Sequence, residues 1–488
     1  MTETTTARPP ALRQDTERLP RQTVVLLGVL LVGAFVVILN ETAMNVALSR
    51  IMTDLSVSER TAQWLTTGFM LTMAVVIPIS GWLLQRLSTR GVFALAMSLF
   101  SLGTLVAMTS FTFEVLLLGR VVQASGTAVM MPLLMTTVME VVPSSMRGRV
   151  MGTISLVIAT APAIGPTVSG VILQFLPWRF VFAAVLPIAL AILVLGLALV
   201  PNLDEPRPVK LDVASIPLAA LGFGGLVYGL SLVGNQLVPA WELEAVLAVG
   251  TLALLAFGWR QVRLQRTDSA LLDLRTFTHP AFAIAMAAMA IVMLVLFGSI
   301  IATPLVLQQV LHLEPLMVGL LLLPGGLLMG LLGPVVGRLY DRVGPRALVM
   351  PGSLVVAGAF GVFSTISVTT PWWQLLVANL LMSLGLAFMM TPLFTVALGS
   401  LPPHLYGHGS ATVGTVQQLA GAAGTALFVT IMSTVSTAAT ATGAGHEAAL
   451  AAGARTAYLT VGAVWLLTLV AGAFLRRPEG EPTAAPLH

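Results

Sequence analysis

Gly81-Trp-Leu-Leu-Gln-Arg-Leu-Ser-Thr-Arg90 and Gly337-Arg-Leu-Tyr-Asp-Arg-Val-Gly-Pro-Arg346 share one frame, Gly-x-Leu-x-x-Arg-x-x-x-Arg, at an offset of 256 residues. A second echo, Pro143-Ser-Ser-Met-Arg-Gly148 against Pro402-Pro-His-Leu-Tyr-Gly407, repeats at an offset of 259. Two echoes at nearly the same offset mark an internal duplication. Each framed loop sits between two long apolar stretches, so the duplicated unit is a set of membrane helices joined by short polar loops.

The composition agrees. Of 488 residues 57% are hydrophobic and 9% charged, with a mean hydropathy of +0.95. Soluble domains carry about 25% charged residues, so this chain has too little polar surface to face water. Outer-membrane barrels alternate polar and apolar residues along each strand, whereas here apolar runs last some 20 residues, the length a helix needs to cross a bilayer. Fourteen such stretches are predicted, at about 23–48, 61–84, 91–109, 113–142, 150–173, 179–200, 213–232, 243–262, 281–310, 316–340, 346–368, 373–398, 407–436 and 454–475. The polar N-terminus shows no short apolar core with a cleavage site, so no cleaved signal peptide is expected. The chain has no cysteine, which excludes disulfides and thiolate metal sites. No metal site, cofactor or catalytic residue is expected.

With an even number of spans both termini share a side. That side collects 19 Lys and Arg residues, the other only Arg50, Arg60, Arg179 and Arg455, and Arg120 lies within a span. The positive-inside rule places both termini in the cytoplasm. The basic balance therefore reports topology, and no nucleic-acid partner is expected. The expected fold is all-α and polytopic, six helices, an inserted pair, then six more. The segments are a tail 1–22, a first bundle 23–200, an insert 201–280 with spans at about 213–232 and 243–262, a second bundle 281–476 and a tail 477–488. Parallel halves of this kind build transporters around a midplane site.

Over roughly residues 23–476 the chain resembles the major facilitator superfamily, specifically its fourteen-span drug:proton antiporters. The Gly337–Arg346 loop matches the superfamily's signature loop fully. The Gly81–Arg90 copy departs from it at Gln85, where the family usually has Asp. The resemblance implies that these loops brace the cytoplasmic gate through Gly81, Gln85, Arg86 and Arg90, and through Gly337, Asp341, Arg342 and Arg346. An Asp at a helix end can accept from backbone donors and pair with Arg, whereas Gln can do only the first. The second loop is expected to be the stronger latch. Glu140, seven residues before Arg147-Gly148, resembles a further inner-gate motif.

On the fourth span Arg120, Gln123 and Gly126 resemble a family motif, and Arg120, Gln123 and Thr127 fall on one helix face. A guanidinium inside a membrane is a functional candidate by default. The first span reads Leu39-Asn-Glu-Thr-Ala-Met-Asn-Val-Ala-Leu48. It resembles the family's first-helix motif with Asn40 in place of the usual Asp, and its Asn-Glu-Thr form looks most like the lincomycin-efflux subgroup. Glu41 is the only carboxylate deep in any span, and burial keeps such a group protonatable near neutral pH. Glu41 and Arg120 are both predicted about 10 Å below the external surface, a depth that permits pairing, and are the proton-coupling candidates. Gly165, Pro166 and Gly170 on span five match the motif associated with antiporters. Asn40, Asn45, Trp64, Gln123, Thr127, Gln417 and Gln418 are the candidates for the substrate cavity. Phe69 stands where the family usually has Tyr. His404 and His408 are expected to be solvated.

These features imply a bacterial inner-membrane exporter that exchanges protons for lipophilic small-molecule drugs by rocking two halves. Its partners are the drug, protons and membrane lipids, and it is expected to act as a monomer. The same fold could export a lipid or an endogenous metabolite instead. A nucleotide-driven pump is disfavoured because Lys210 is the only lysine and lies in Pro-Val-Lys-Leu, outside any phosphate-binding loop. An enzyme would need clustered nucleophiles, acids or metal ligands, which the six scattered histidines and one deep carboxylate do not supply.

Overall fold

Ser58, Ser88 and Thr112 each turn a side-chain oxygen onto the backbone N–H three residues on, and a helix begins at each point. Elsewhere proline sets the start, with Pro280 and Pro315 in the first turn of their helices. Gly344, at a φ of +82°, ends the helix that carries the second framed loop. The structure is a computed structural model that describes residues 19–203, 211–233 and 238–477, and the side chain of Asn45 lies outside the described residues.

Among the described residues fourteen helices are long and apolar enough to cross a membrane. They are α1 (Arg21–Asp54), α2 (Glu59–Arg86), α3 (Thr89–Met108), α4 (Phe113–Val141), α5 (Arg147–Phe175), α6 (Arg179–Leu199) and α7 (Ser215–Leu232). The remainder are α8 (Ala240–Leu264), α9 (Pro280–Gln309), α10 (Pro315–Val343), α11 (Arg346–Phe363), α12 (Trp372–Gly399), α13 (Tyr406–Ala441) and α14 (His446–Phe474). All fourteen predicted stretches are helices. Their ends differ, because helical hydrogen bonding does not stop where hydrophobicity does. α1 runs on through Ser49 and Arg50 to Asp54, and α14 begins at His446, eight residues before the predicted 454. α11 stops at Phe363, short of the predicted 368, where Thr365, Ser367 and Thr370 bond one another in a tight turn.

The packing repeats. α1 packs on α4, α5 and α6, and eight helices later α9 packs on α12, α13 and α14. α3 lies against α4 and α6 as α11 lies against α12 and α14. Helices in lipid approach closely where side chains are small. A Cβ on Gly103 would lie 2.6 Å from the Gly119 carbonyl, and one on Gly352 2.9 Å from that of Gly385. α7 and α8 pack on each other, and α7 also rests on α2 and α13. A π-helical stretch at Ala220–Gly224 interrupts α7. Leu252, Leu255 and Trp259 on α8 are more than half exposed, an apolar face for lipid.

Candidate functional site

α4 buries a continuous face, and Arg120 lies on it at 1% exposure. Its Nη1 donates to Gln123 Oε1 at 2.7 Å, one turn along the same helix. Gln123 Nε2 donates to Thr104 Oγ1 on α3 at 2.8 Å, and Thr104 donates in turn to the Phe100 carbonyl. On the other side Arg120 Nε reaches the Leu65 carbonyl of α2 at 3.5 Å, and its Cζ lies 4.0 Å from the Phe69 ring centroid. A cation over an aromatic face away from water is worth about 2 kcal/mol. Three helices thus fix the guanidinium. The Thr104 link had no signal in the sequence, since it is an ordinary helix threonine; Phe69 stands where the family usually has Tyr, but nothing in the sequence set it under Arg120.

Glu41 stands on α1, partly buried, and its charge interacts with that of Arg120. The two form no ion pair within 4.0 Å among the described residues, so the pairing that their depth permits is not made. Asn40 beside it is 1% exposed, and neither end of its amide has a hydrogen-bond partner among the described residues. The antiporter-type motif fixes this stretch of α1 from α5. A Cβ on Gly165 would overlap Thr42 Oγ1 and lie 2.8 Å from the Leu39 carbonyl. Gly165 is therefore what lets α5 rest on the turn that carries Asn40 and Glu41. Pro166 lies inside α5, and Gly170 makes no such approach.

The other cavity candidates are dispersed. Gln123 and Thr127 are buried, Gln123 as the Arg120 link and Thr127 bonded back to the Gln123 carbonyl. In this conformation Gln123 holds the arginine, while Thr127 lies one turn further along the same buried face. Trp64 stacks on Tyr228 of α7 at 5.5 Å between ring centroids, so its flat face is taken by the inserted pair. Gln417 and Gln418 on α13 are partly exposed, and Gln418 Nε2 points at Met73 Sδ of α2 at 3.6 Å.

At the arginine-rich end, α5 and α10 cross almost backbone to backbone. A Cβ on Gly152 or Gly337 would overlap the carbonyl oxygen of Gly333 or Gly148, and one on Gly148 would lie 2.6 Å from the Gly337 carbonyl. Asp341 on α10 accepts the backbone N–H groups of Gly148 and Arg149 at 2.9 Å each, a carboxylate at the first turn of α5. Its bonds go to that helix end and not to Arg342 or Arg346, which are exposed. Arg147 donates to the Met139 and Val142 carbonyls and reaches the Tyr406 hydroxyl at 3.5 Å, while Glu140 is exposed. Thr136 bonds Ser410, and Ser155 bonds Thr391, so α4 meets α13 and α5 meets α12 at the same end.

The first framed loop is built differently. Gln85 makes no hydrogen bond among the described residues, and Arg86 is exposed. Arg90 donates to the Val200 carbonyl at the end of α6. His408, expected to be solvated, is 4% exposed and packs its Nδ1 against Gly81, because α13 begins at Tyr406 and carries it into the contact with α2; His404, before that helix, is exposed. At the opposite end the ion pairs stay within one half. Arg179 bonds Asp54 at 2.8 Å, and His312 lies 2.8 Å from Glu447. The Trp178 indole and Arg179 hold the Asp54 carboxyl below its ordinary range.

The model of the Major Facilitator Superfamily matches residues 30–425. Lincomycin resistance protein LmrB of Listeria monocytogenes is 40% identical over 457 residues, covering 92% of this chain and 96% of the relative. LmrB of Bacillus subtilis is 38% identical, with 83% and 84% covered. The multidrug resistance protein B homolog of Mycobacterium tuberculosis is 29% identical, with 83% and 75% covered. Among solved structures, the human organic anion transporter MFSD10 (TETRAN) superposes with a TM-score of 0.68 at 16% identity, covering 93% of this chain and 100% of that one. The proton:xylose symporter XylE superposes at 0.65 and 16%, with 93% and 96% covered. At such identities the structural likeness shows the fold alone.

Proposed function

Since the chain belongs to the Major Facilitator Superfamily and is a multi-pass membrane transporter, we propose that it exports lipophilic small-molecule drugs in exchange for protons, by alternating access between α1–α6 and α9–α14. The drug class is supported by relatives named for lincomycin and multidrug resistance. Both termini face the cytoplasm of a bacterial cell, an orientation that the arginine distribution supports. The gate of framed loops is then the inner gate, and the conformation is closed toward the cytoplasm.

The observation that carries proton exchange is the relation between Glu41 and Arg120. Arg120 stays charged, since a guanidinium does not give up its proton in proteins, and α2, α3 and α4 fix its place. Glu41 is the partner that can gain or lose a proton. Its attraction to the fixed cation is present when it is ionised and gone when it is protonated. A lipophilic cation and a proton therefore compete for one carboxylate, which is the requirement of antiport. Each pH unit across the membrane supplies about 1.4 kcal/mol per proton moved.

Inside-out vesicles with an imposed pH gradient test this. Glu41→Gln is expected to abolish substrate-driven proton release with abundance nearly unchanged. Retention of that release would reject Glu41 as the carrier. Efflux of lipids or metabolites, with none of any drug class, would replace drugs by an endogenous substrate.

A further inference from the structure

The two halves of the inner gate are not equally furnished. The repeat sets Gly81 against Gly337, Gly407 against Gly148, and Gln85 against Asp341. In the α5–α10 seam a Cβ on Gly148 would lie 2.6 Å from the opposite glycine carbonyl, but in the α2–α13 seam the same distance from Gly407 is 3.6 Å. The second seam is looser by about 1 Å and has no carboxylate to tie it. Something else fills it. The nearest neighbours of a Cβ on Gly81 would be His408 Nδ1 at 2.9 Å and the Leu271 carbonyl oxygen at 3.2 Å. Leu271 and Leu272 follow the inserted pair, are almost fully buried, and cluster with Ala74 of α2, Phe223 and Val227 of α7, Phe257 of α8 and Ala411 of α13.

These two residues lie in irregular chain, so their buried N–H groups need an acceptor from elsewhere. Gln261, fully buried near the end of α8, provides it. Its Oε1 accepts from Leu271 N at 2.8 Å and from Leu272 N at 3.3 Å. Its Nε2 donates to Ser215 Oγ at the start of α7, and Ser215 bonds Asp212, which holds Arg260 through both oxygens at 2.7 and 2.6 Å. Beyond Leu272, Asp273 and Asp268 both hold Arg275. The segment is thus tethered at each side, and Gln261 bonds the inserted pair with one end of its amide and the wedge with the other.

We propose that Gln261 is a positioning residue of the inner gate: it clamps the Leu271–Leu272 backbone into the α2–α13 seam, where the wedge replaces the carboxylate latch that Gln85 cannot form. The inserted pair then serves as a strut for one half of the gate. This rests on the alternating-access reading, but its test needs no transported drug.

The natural chain has no cysteine, so spin labels can be placed without a background to remove. One reporter pair replaces Arg86 and His404, across α2–α13; the other replaces Arg149 and Arg338, across α5–α10. In Gln261→Leu, two buried N–H groups lose their acceptor, and about a tenfold rise in the open population is expected at the first pair. The second pair is expected to stay closed. Gln261→Glu keeps the acceptor and should keep the seam shut. Leu271→Ala, which shortens the wedge and leaves the clamp, should open the first pair too, and it decides the matter if Gln261→Leu fails to fold. No change at the first pair in either variant, or an equal change at both pairs, overturns the proposal. Failure of drug transport in vesicles leaves these distances readable.

Discussion

Asp341 accepts the backbone N–H of Gly148 at 2.9 Å, joining the last turn of α10 to the first turn of α5 across the boundary between the halves. A charged acceptor on two amides is worth about 1.5–3 kcal/mol per bond, against about 1 for a neutral one. Asp341→Asn keeps one neutral acceptor in place of two charged bonds, so the closed gate should lose about 2–5 kcal/mol, a factor of about 30 or more in population. Single-cysteine labelling at the framed-loop end reads that shift. Gln85→Ala should leave the same labelling almost unchanged, as Gln85 has no bond to lose among the described residues.

The crossing of α5 and α10 sets a steric limit. A methyl group at residue 152 would overlap the Gly333 carbonyl, and neither backbone can yield without separating the helices. Gly152→Ala should therefore disfavour the closed gate by about 1–3 kcal/mol, the usual cost of overpacking. Cross-linking between cysteines placed at Arg149 and Arg338 should fall accordingly, while protein abundance in the membrane holds. Unchanged cross-linking would mean that the seam relaxes sideways.

At the end opposite the framed loops the Asp54 contact has a pH signature. Its carboxyl is held below the ordinary value of 3.8, first by the Trp178 hydrogen bond and then by Arg179. A depressed carboxylate contributes stability above its unfolded pKa and loses it as the pH falls through the folded one. Asp54→Asn should lower the Tm in detergent at pH 7, by no more than about 1 kcal/mol of stability because the pair is half exposed to screening solvent. At pH 3 and below the difference from the natural chain should shrink. A gap that persists undiminished at that pH would show that the substitution is disruptive for a reason other than the lost charge.

Proton stoichiometry gives a fourth expectation. If Glu41, the one carboxylate that the sequence places deep in a span, is the proton carrier, at most one proton should move through it per cycle. Exchange for a monovalent cation is then electroneutral and indifferent to membrane potential. A neutral substrate would sense it, at about 2.3 kcal/mol per charge per 100 mV. Reconstituted protein with the potential set by potassium and valinomycin distinguishes the two, and steepening of cation efflux at constant pH gradient would reveal a second proton site.

Apolar length was enough to find every helix, because lipid demands it of each span separately. Helix ends such as Asp54 and His446 were not legible, since backbone hydrogen bonds continue into polar chain. Charges inside spans announced Glu41 and Arg120 by their cost. Their surroundings were not legible, because Thr104 is a residue type that any span contains and the family position of Phe69 does not say that it lies under Arg120. Gly152 and Gly333 were hidden among 44 glycines, and only the crossing of two distant helices singles them out. Gln261 and His408 were hidden for a related reason. A polar residue near a helix end reads as solvated until a later segment folds over it, as Leu271 does at Gly81.

A crossing in which backbone meets backbone also has a consequence for leakage. Water needs about 30 Å³ and polar partners to lodge inside a protein. Between Gly148 and Gly337, and again between Gly152 and Gly333, there is no room even for a methyl group, and the amides at the end of α5 are already engaged by Asp341. A file of hydrogen-bonded water, the cheapest wire for protons, cannot thread this crossing. The transporter can wait between cycles with this crossing shut and leak no protons through it.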